Sequence, residues 1–147
     1  MTHPFNIDRV LVATDLSPAS EPALRCAAAL ARRFNADLYL LHVVPVPSGA
    51  NPVATDAAAQ EAAGAMRLLR QEVLAAQDKF ATTAILTGDP VARILQKAED
   101  VHADLIVMGT SARCPRPGGL TDAVVRGAAC PVLTVPHTRQ EATELRA

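Results

Sequence analysis

The sequence predicts an α/β fold, a parallel sheet covered by helices on both faces. Two observations lead there. Short apolar runs of the kind found in strands buried on both sides recur along the chain, and stretches of helical periodicity stand between them. Strands alternating with helices form parallel sheets through right-handed crossovers. Composition agrees: the 147 residues are half hydrophobic, with no Trp, one Tyr and three Phe, so the core is built from Val, Leu, Ile and Ala. The length fits one domain spanning 1–147, with a core at 9–136 and a polar tail at 137–147.

The elements follow in order. Arg9-Val-Leu-Val-Ala-Thr14 is the first strand, and Asp15 to Ala19 a turn. Ser17 before Pro18 reads as an N-cap with proline in the first helical turn. The helix then runs from Ala19 to Phe34, with Leu24, Ala27, Ala28, Ala31 and Phe34 as its apolar stripe. Asp37 to Val44 is the second strand. Pro45 to Pro52 is a loop rich in Pro, Gly and Ser.

An Ala-rich helix is expected from about Asp56 to Lys79, and a third strand from Thr82 to Thr87. Gly88-Asp89-Pro90 starts the next helix, whose apolar positions are Val91, Ile94, Leu95, Ala98 and Val101. Asp104 to Met108 is the fourth strand, closed by Gly109. A loop to Gly119, a short helix from Leu120 to about Ala129 and a strand from Pro131 to Val135 complete the fold.

Several function classes are disfavoured. A net charge of -1 gives no field to draw in nucleic acid or an anionic membrane. Cys26, Cys114 and Cys130 are widely spaced, without a disulfide framework or a zinc pattern, and no metal is expected. Cys26 and Cys130 read as buried and inert. The N-terminus lacks the pattern of a signal peptide, and no apolar run approaches the ~18 residues of a membrane span. The expected compartment is the cytoplasm.

Five segments together resemble the universal stress protein family: VLVATDLSP at the first strand and turn, LHVV at 41–44, GDPVARIL at 88–95, ADLIVMGT at 103–110 and CPVLTV at 130–135. The resemblance spans Arg9 to Pro136. It implies a three-layer αβα open sheet of five parallel strands in order 3-2-1-4-5, of the adenine nucleotide alpha hydrolase-like type. In that order the winding reverses between the first and fourth strands. Ligands of open α/β sheets bind outside the strand carboxyl ends at such a switch, so Asp15 and Gly109 are expected to face each other across a crevice.

The resemblance also implies a candidate nucleotide site: Ala13, Thr14, Asp15, Val43, Met108, Gly109, Thr110, Gly118, Gly119 and Thr121. Asp15 has two readings, an acceptor for the adenine end of ATP or AMP, and a turn onto the first helix through its own downstream backbone. Ala13, Thr14 and Val43 match adenine-pocket positions, and without the family they read as strand packing. ATP-binding members resemble one another in a loop of Gly, two residues, Gly, nine residues, then Gly with Ser or Thr. Here the second glycine is Ala112, eight residues rather than twelve separate Gly109 from Gly118, and Gly119 stands at the hydroxyl position. Pro115 and Pro117 remove two N–H donors. Against these losses, Gly118-Gly119 precede a helix N-terminus, Thr121 offers a hydroxyl, and Arg113 and Arg116 offer charge to a phosphate. The balance favours a shortened loop that holds ATP weakly or not at all.

No nucleophile–base pair stands out, and no catalytic residue is assigned. His42 reads as a satisfied structural histidine. Cys114, beside arginines, is a weaker candidate for a redox thiol. The resemblance implies a homodimer through the last strand, with Val132, Leu133, Thr134 and Val135 at the edge. The expected role is a stress-response regulatory module acting through protein contacts. The alternative is an ATP- or AMP-binding sensor with a remodelled phosphate loop, a slow ATPase at most.

Overall fold

The computed structural model describes residues 6–74, 81–110 and 119–137, with side chains of 72–74 left aside. The strands are β1 (Arg9–Ala13), β2 (Asp37–Val44), β3 (Ala81–Thr87), β4 (Leu105–Thr110) and β5 (Val132–Pro136). The helices are α1 (Glu21–Phe34), α2 (Pro52–Leu74), α3 (Pro90–Asp100) and α4 (Leu120–Gly127). All strand pairs are parallel, and the order is β3-β2-β1-β4-β5, as expected.

Alternation along the strands divides the core into two layers. Val10, Val12, Leu38, Leu40 and Val107 pack with Ala23, Leu24, Ala27 and Ala31 of α1 and Met66 of α2. Leu11, Leu41, Val43, Ile106 and Met108 face the other way, against Ile94 of α3 and Val124 of α4. The small side chains of α1 let that helix lie close on the sheet, and Ala23, Leu24 and Ala27 are fully buried. Burying Leu24 alone contributes about 1.5–3 kcal/mol. At the lower end of the sheet the Asp104 carboxylate accepts from the Asp8 and Arg9 amides at 2.9 and 3.0 Å, fixing the start of β1 beside β4.

The helix ends correct several expectations. Ser17 occupies an N-cap position, but its side chain makes no capping bond, and a single 3-10 turn (Pro18–Ser20) precedes α1, which starts at Glu21 rather than Ala19. Phe34 is not part of the buried stripe. It stands at the last helical position, before the chain turns through left-handed Asn35 (φ 58°), and is 48% exposed. The loop after β2 ends at Asn51, because Asn51 Oδ1 accepts from the Val53 amide at 2.9 Å and Pro52 opens α2. The expected end of that helix, at Lys79, lies outside the described residues. Asp89 caps α3 as expected, accepting from the Ala92 amide at 2.9 Å. β4 continues through Gly109 to Thr110, and pairing of β5 runs on past Val135, with the His137 amide donating to Thr110 O at 2.8 Å. Cys26 and Cys130 are half-buried rather than buried. No helix among the described residues is long and apolar enough to cross a membrane.

Gly88 links β3 to α3 at φ 130°, a region that is essentially glycine-only. Its amide donates to Val44 O at 3.0 Å, and a Cβ there would lie 3.0 Å from Arg93 Nε. Gly88→Ala is expected to lower stability by about 1–3 kcal/mol, read as a reduced urea midpoint with an unchanged slope.

Candidate functional site

The switch point opens at the carboxyl ends of β1 and β4. Ala13 pairs with Leu41 on one side and with Met108 on the other. The chain leaving β1 turns to α1 above one face, whereas α3 and α4 cover the other face. The backbones beyond Ala13 and Met108 therefore diverge, leaving a cleft of about 750 Å³. That volume falls within the ~300–1,000 Å³ usual for small-molecule sites.

The turn after β1 is built from a chain of hydrogen bonds. The Thr14 amide donates to Leu41 O at 2.9 Å, prolonging the ladder by one residue. Thr14 Oγ1 accepts from the Leu16 amide at 3.0 Å and lies 2.7 Å from Ser20 Oγ. Ser20 Oγ lies 2.8 Å from Ser17 O, a carbonyl that can only accept, so the Ser20 proton goes there and Thr14 donates to Ser20. Both hydroxyl residues are buried. Leu16, held between these bonds, has φ 66°, an uncommon conformation for a bulky side chain. Its side chain packs against the α1-side core, which offsets the backbone cost. His42 Nδ1 lies 2.8 Å from Thr14 O, so Nδ1 carries the proton and the ring ties β2 to the same turn.

Asp15 follows at the cleft. One of its oxygens, Oδ1, accepts from the Ser17 amide at 2.8 Å and from the Ser17 hydroxyl. Burial pushes the carboxyl pKa up, but the bonds from the Ser17 side chain and amide outweigh it and hold the group below the ordinary value of 3.8. Asp15 is therefore an ionised, acceptor-only group at neutral pH. Its turn-forming reading describes the geometry; the carboxylate also borders the cleft.

Of the residues singled out in the sequence, Ala13, Thr14, Asp15, Val43, Met108, Gly109, Thr110, Gly119 and Thr121 line one cleft. The Thr14 hydroxyl, however, is committed to Ser20 and Leu16. A Cβ on Gly109 would lie 3.5 Å from Ala19 O, Ser20 Cα and Ala23 Cβ, so this glycine adjoins the start of α1 as well as the cleft. Gly118, Arg113, Arg116 and Cys114 lie outside the described residues. Ser20, Leu41, His42, Pro90, Ile94 and Leu120 line the cleft without having been anticipated. Pro90 carried a legible signal: a helix that starts just after β3 has its first turn at the same end of the sheet as Asp15. Cys130 lies elsewhere, in a groove between α3 and α4, where burial and the Asp104 carboxylate raise its thiol pKa and disfavour the reactive thiolate. No group of three or more His, Cys, Asp or Glu able to hold a metal occurs among the described residues.

The fold is thus an open, doubly wound α/β sheet with an acidic turn at its switch point, and comparison with known proteins gives its family. The universal stress protein family model matches residues 6–136, and the chain belongs to that family. A universal stress protein of Methanocaldococcus jannaschii is 28% identical over 144 residues, covering 90% of this chain and 84% of the relative. The structure of universal stress protein UspA from Lactobacillus plantarum superposes with a TM-score of 0.76 at 31% identity, covering 88% of this chain and 98% of that one. A universal stress protein solved in complex with cAMP gives 0.74 at 26% identity, covering 90% and 99%.

The depressed Asp15 pKa fixes the sign of a pH effect. The charged carboxylate contributes stability that is present above 3.8 and is lost as pH falls through its lower folded value. Asp15→Asn is expected to flatten that part of the stability curve, measured as denaturant midpoints between pH 5 and about 2.

Proposed function

We propose that this protein is a homodimeric stress-response regulatory module whose cleft binds an adenine mononucleotide, with the base beside Ala13, Val43 and Met108 and Asp15 as its polar anchor. The observation that carries the reading is the 750 Å³ cleft at the switch point, with an ionised acceptor at one end and apolar strand residues along its floor. A relative 26% identical to this chain was solved with cAMP, which supports the same ligand class here. AMP or cAMP is preferred over ATP because the loop after β4 is short, carries Pro115 and Pro117, and places Gly119 where a hydroxyl is expected. The role is binding rather than turnover, in the cytoplasm. AMP and cAMP are expected to raise the melting temperature by mass action, and Asp15→Ala to abolish the rise. Calorimetry is expected to show ATP binding no tighter than AMP. Tenfold tighter ATP supports the triphosphate sensor instead; no shift with any adenine nucleotide removes the nucleotide reading.

Dimerisation through β5 is supported by the strand's position at the sheet edge. Pro131 O accepts from the Ile106 amide and the His137 amide donates to Thr110 O, so the odd-numbered residues bond to β4. Alternation turns the backbone groups of Val132, Thr134 and Pro136 outward, and a proline at 136 fits because no outward N–H is needed there. Leu133 is 38% exposed on this edge. Light scattering is expected to find a dimer, and Thr134→Pro a folded monomer. A monomeric parent chain, or a dimer that persists in the variant, contradicts pairing through this edge.

A further inference from the structure

Asp15 is exposed at the cleft, yet one of its two oxygens is already occupied twice. Oδ1 takes both the amide and the hydroxyl of Ser17, two residues on. The amide bond belongs to the turn and survives any substitution that keeps the backbone. The hydroxyl bond depends on Ser17 having a β-hydroxyl. That hydroxyl serves no helix cap, although Ser17 stands at a capping position. Its neighbours hold the serine in place, since the Ser17 carbonyl accepts from the Ser20 amide at 3.1 Å and the Ser20 hydroxyl at 2.8 Å. The Ser20 hydroxyl in turn accepts from buried Thr14. The Ser17 proton is thus aimed at the carboxylate by groups that are themselves fixed.

Resting on the nucleotide reading above, we propose that Ser17 is a positioning residue: its hydroxyl locks the Asp15 carboxylate through Oδ1, leaving Oδ2 as the acceptor offered to the cleft, so the site selects ligands that present an N–H or O–H donor. A base edge bearing an amine or a ribose hydroxyl satisfies that acceptor. A keto oxygen facing it meets a second negative lone pair and is disfavoured, because a bound ligand would cover the carboxylate without matching it. Among the described residues lining the cleft, His42 is the other titratable side chain, and its Nδ1 proton is engaged with Thr14 O. The lowered Asp15 pKa, held down chiefly by Ser17, accords with this role.

Two measurements on the full chain test it. Carboxyl NMR follows the Asp15 titration in the parent chain, Ser17→Ala and Ser17→Thr without ligand. Ser17→Ala is expected to raise the midpoint, and Ser17→Thr to restore it; identical midpoints overturn the proposal. Calorimetry then compares AMP, inosine monophosphate and 2′-deoxy-AMP. Ser17→Ala is expected to weaken AMP about tenfold, the loss typical of one bond to a charged group, and to begin losing AMP at a higher pH than the parent. Comparing variants cancels the ligand's own titration. Weaker inosine monophosphate assigns the donor to the amine, and weaker 2′-deoxy-AMP to the ribose. Equal binding of all three overturns the selection. If the parent chain binds no AMP, the nucleotide reading and the selection fall together, and the titration alone decides the hold of Ser17 on Asp15.

Discussion

The turn that leaves β1 has to satisfy buried polar groups within seven residues, from Thr14 to Ser20, while carrying the chain from the sheet centre to the first helix. Thr14 and Ser20 are buried, and a hydroxyl stranded there costs about 1–3 kcal/mol. The solution is a closed relay: the Leu16 amide to Thr14, Thr14 to Ser20, and Ser20 to the Ser17 carbonyl. Closing it forces Leu16 to a positive φ and shapes the segment before α1 as a 3-10 turn. The same closure sets Asp15 at the mouth of the cleft. Fold and candidate site thus share one set of bonds.

The sheet supplies the complementary half. Because β1 lies between β2 and β4, its end has a neighbour on each side, and chain continuations depart to opposite faces. Such a divergence leaves space that no backbone fills. Val43 and Met108 belong to the α3/α4-side core and also floor the cleft, which gives it an apolar base. A polar anchor beside an apolar floor suits a flat, partly polar ligand more than a bare anion. The α3–α4 groove around Cys130 contrasts with it, lying at the other end of β4.

Much of this was legible in the residues. β2 was bounded correctly because its apolar run stops at Pro45, and the α3 start was legible because Asp89-Pro90 joins a cap to a residue without an amide proton. Asn51-Pro52 is the same device and went unread, its Pro and Gly neighbours pointing to a loop. Ser17-Pro18 shows the opposite failure. The pair looks like a cap, but the nearby Asp15 carboxylate is a stronger acceptor for the serine hydroxyl than a helix start is a use for it. Residue type alone does not reveal such a competition. Likewise, the gathering of Ser20 and Leu41 at the cleft follows from strand order, which a single sequence reveals only through family likeness.

The central claim is that the β1–β4 switch point is where this protein meets a mononucleotide. Amide chemical-shift mapping during titration with AMP tests it most directly, because each backbone N–H reports its own surroundings. The account predicts saturable changes concentrated at residues 13–17, at Val43 and at 108–110. Changes centred instead on the α3–α4 groove near Cys130, or none at millimolar AMP, would contradict it.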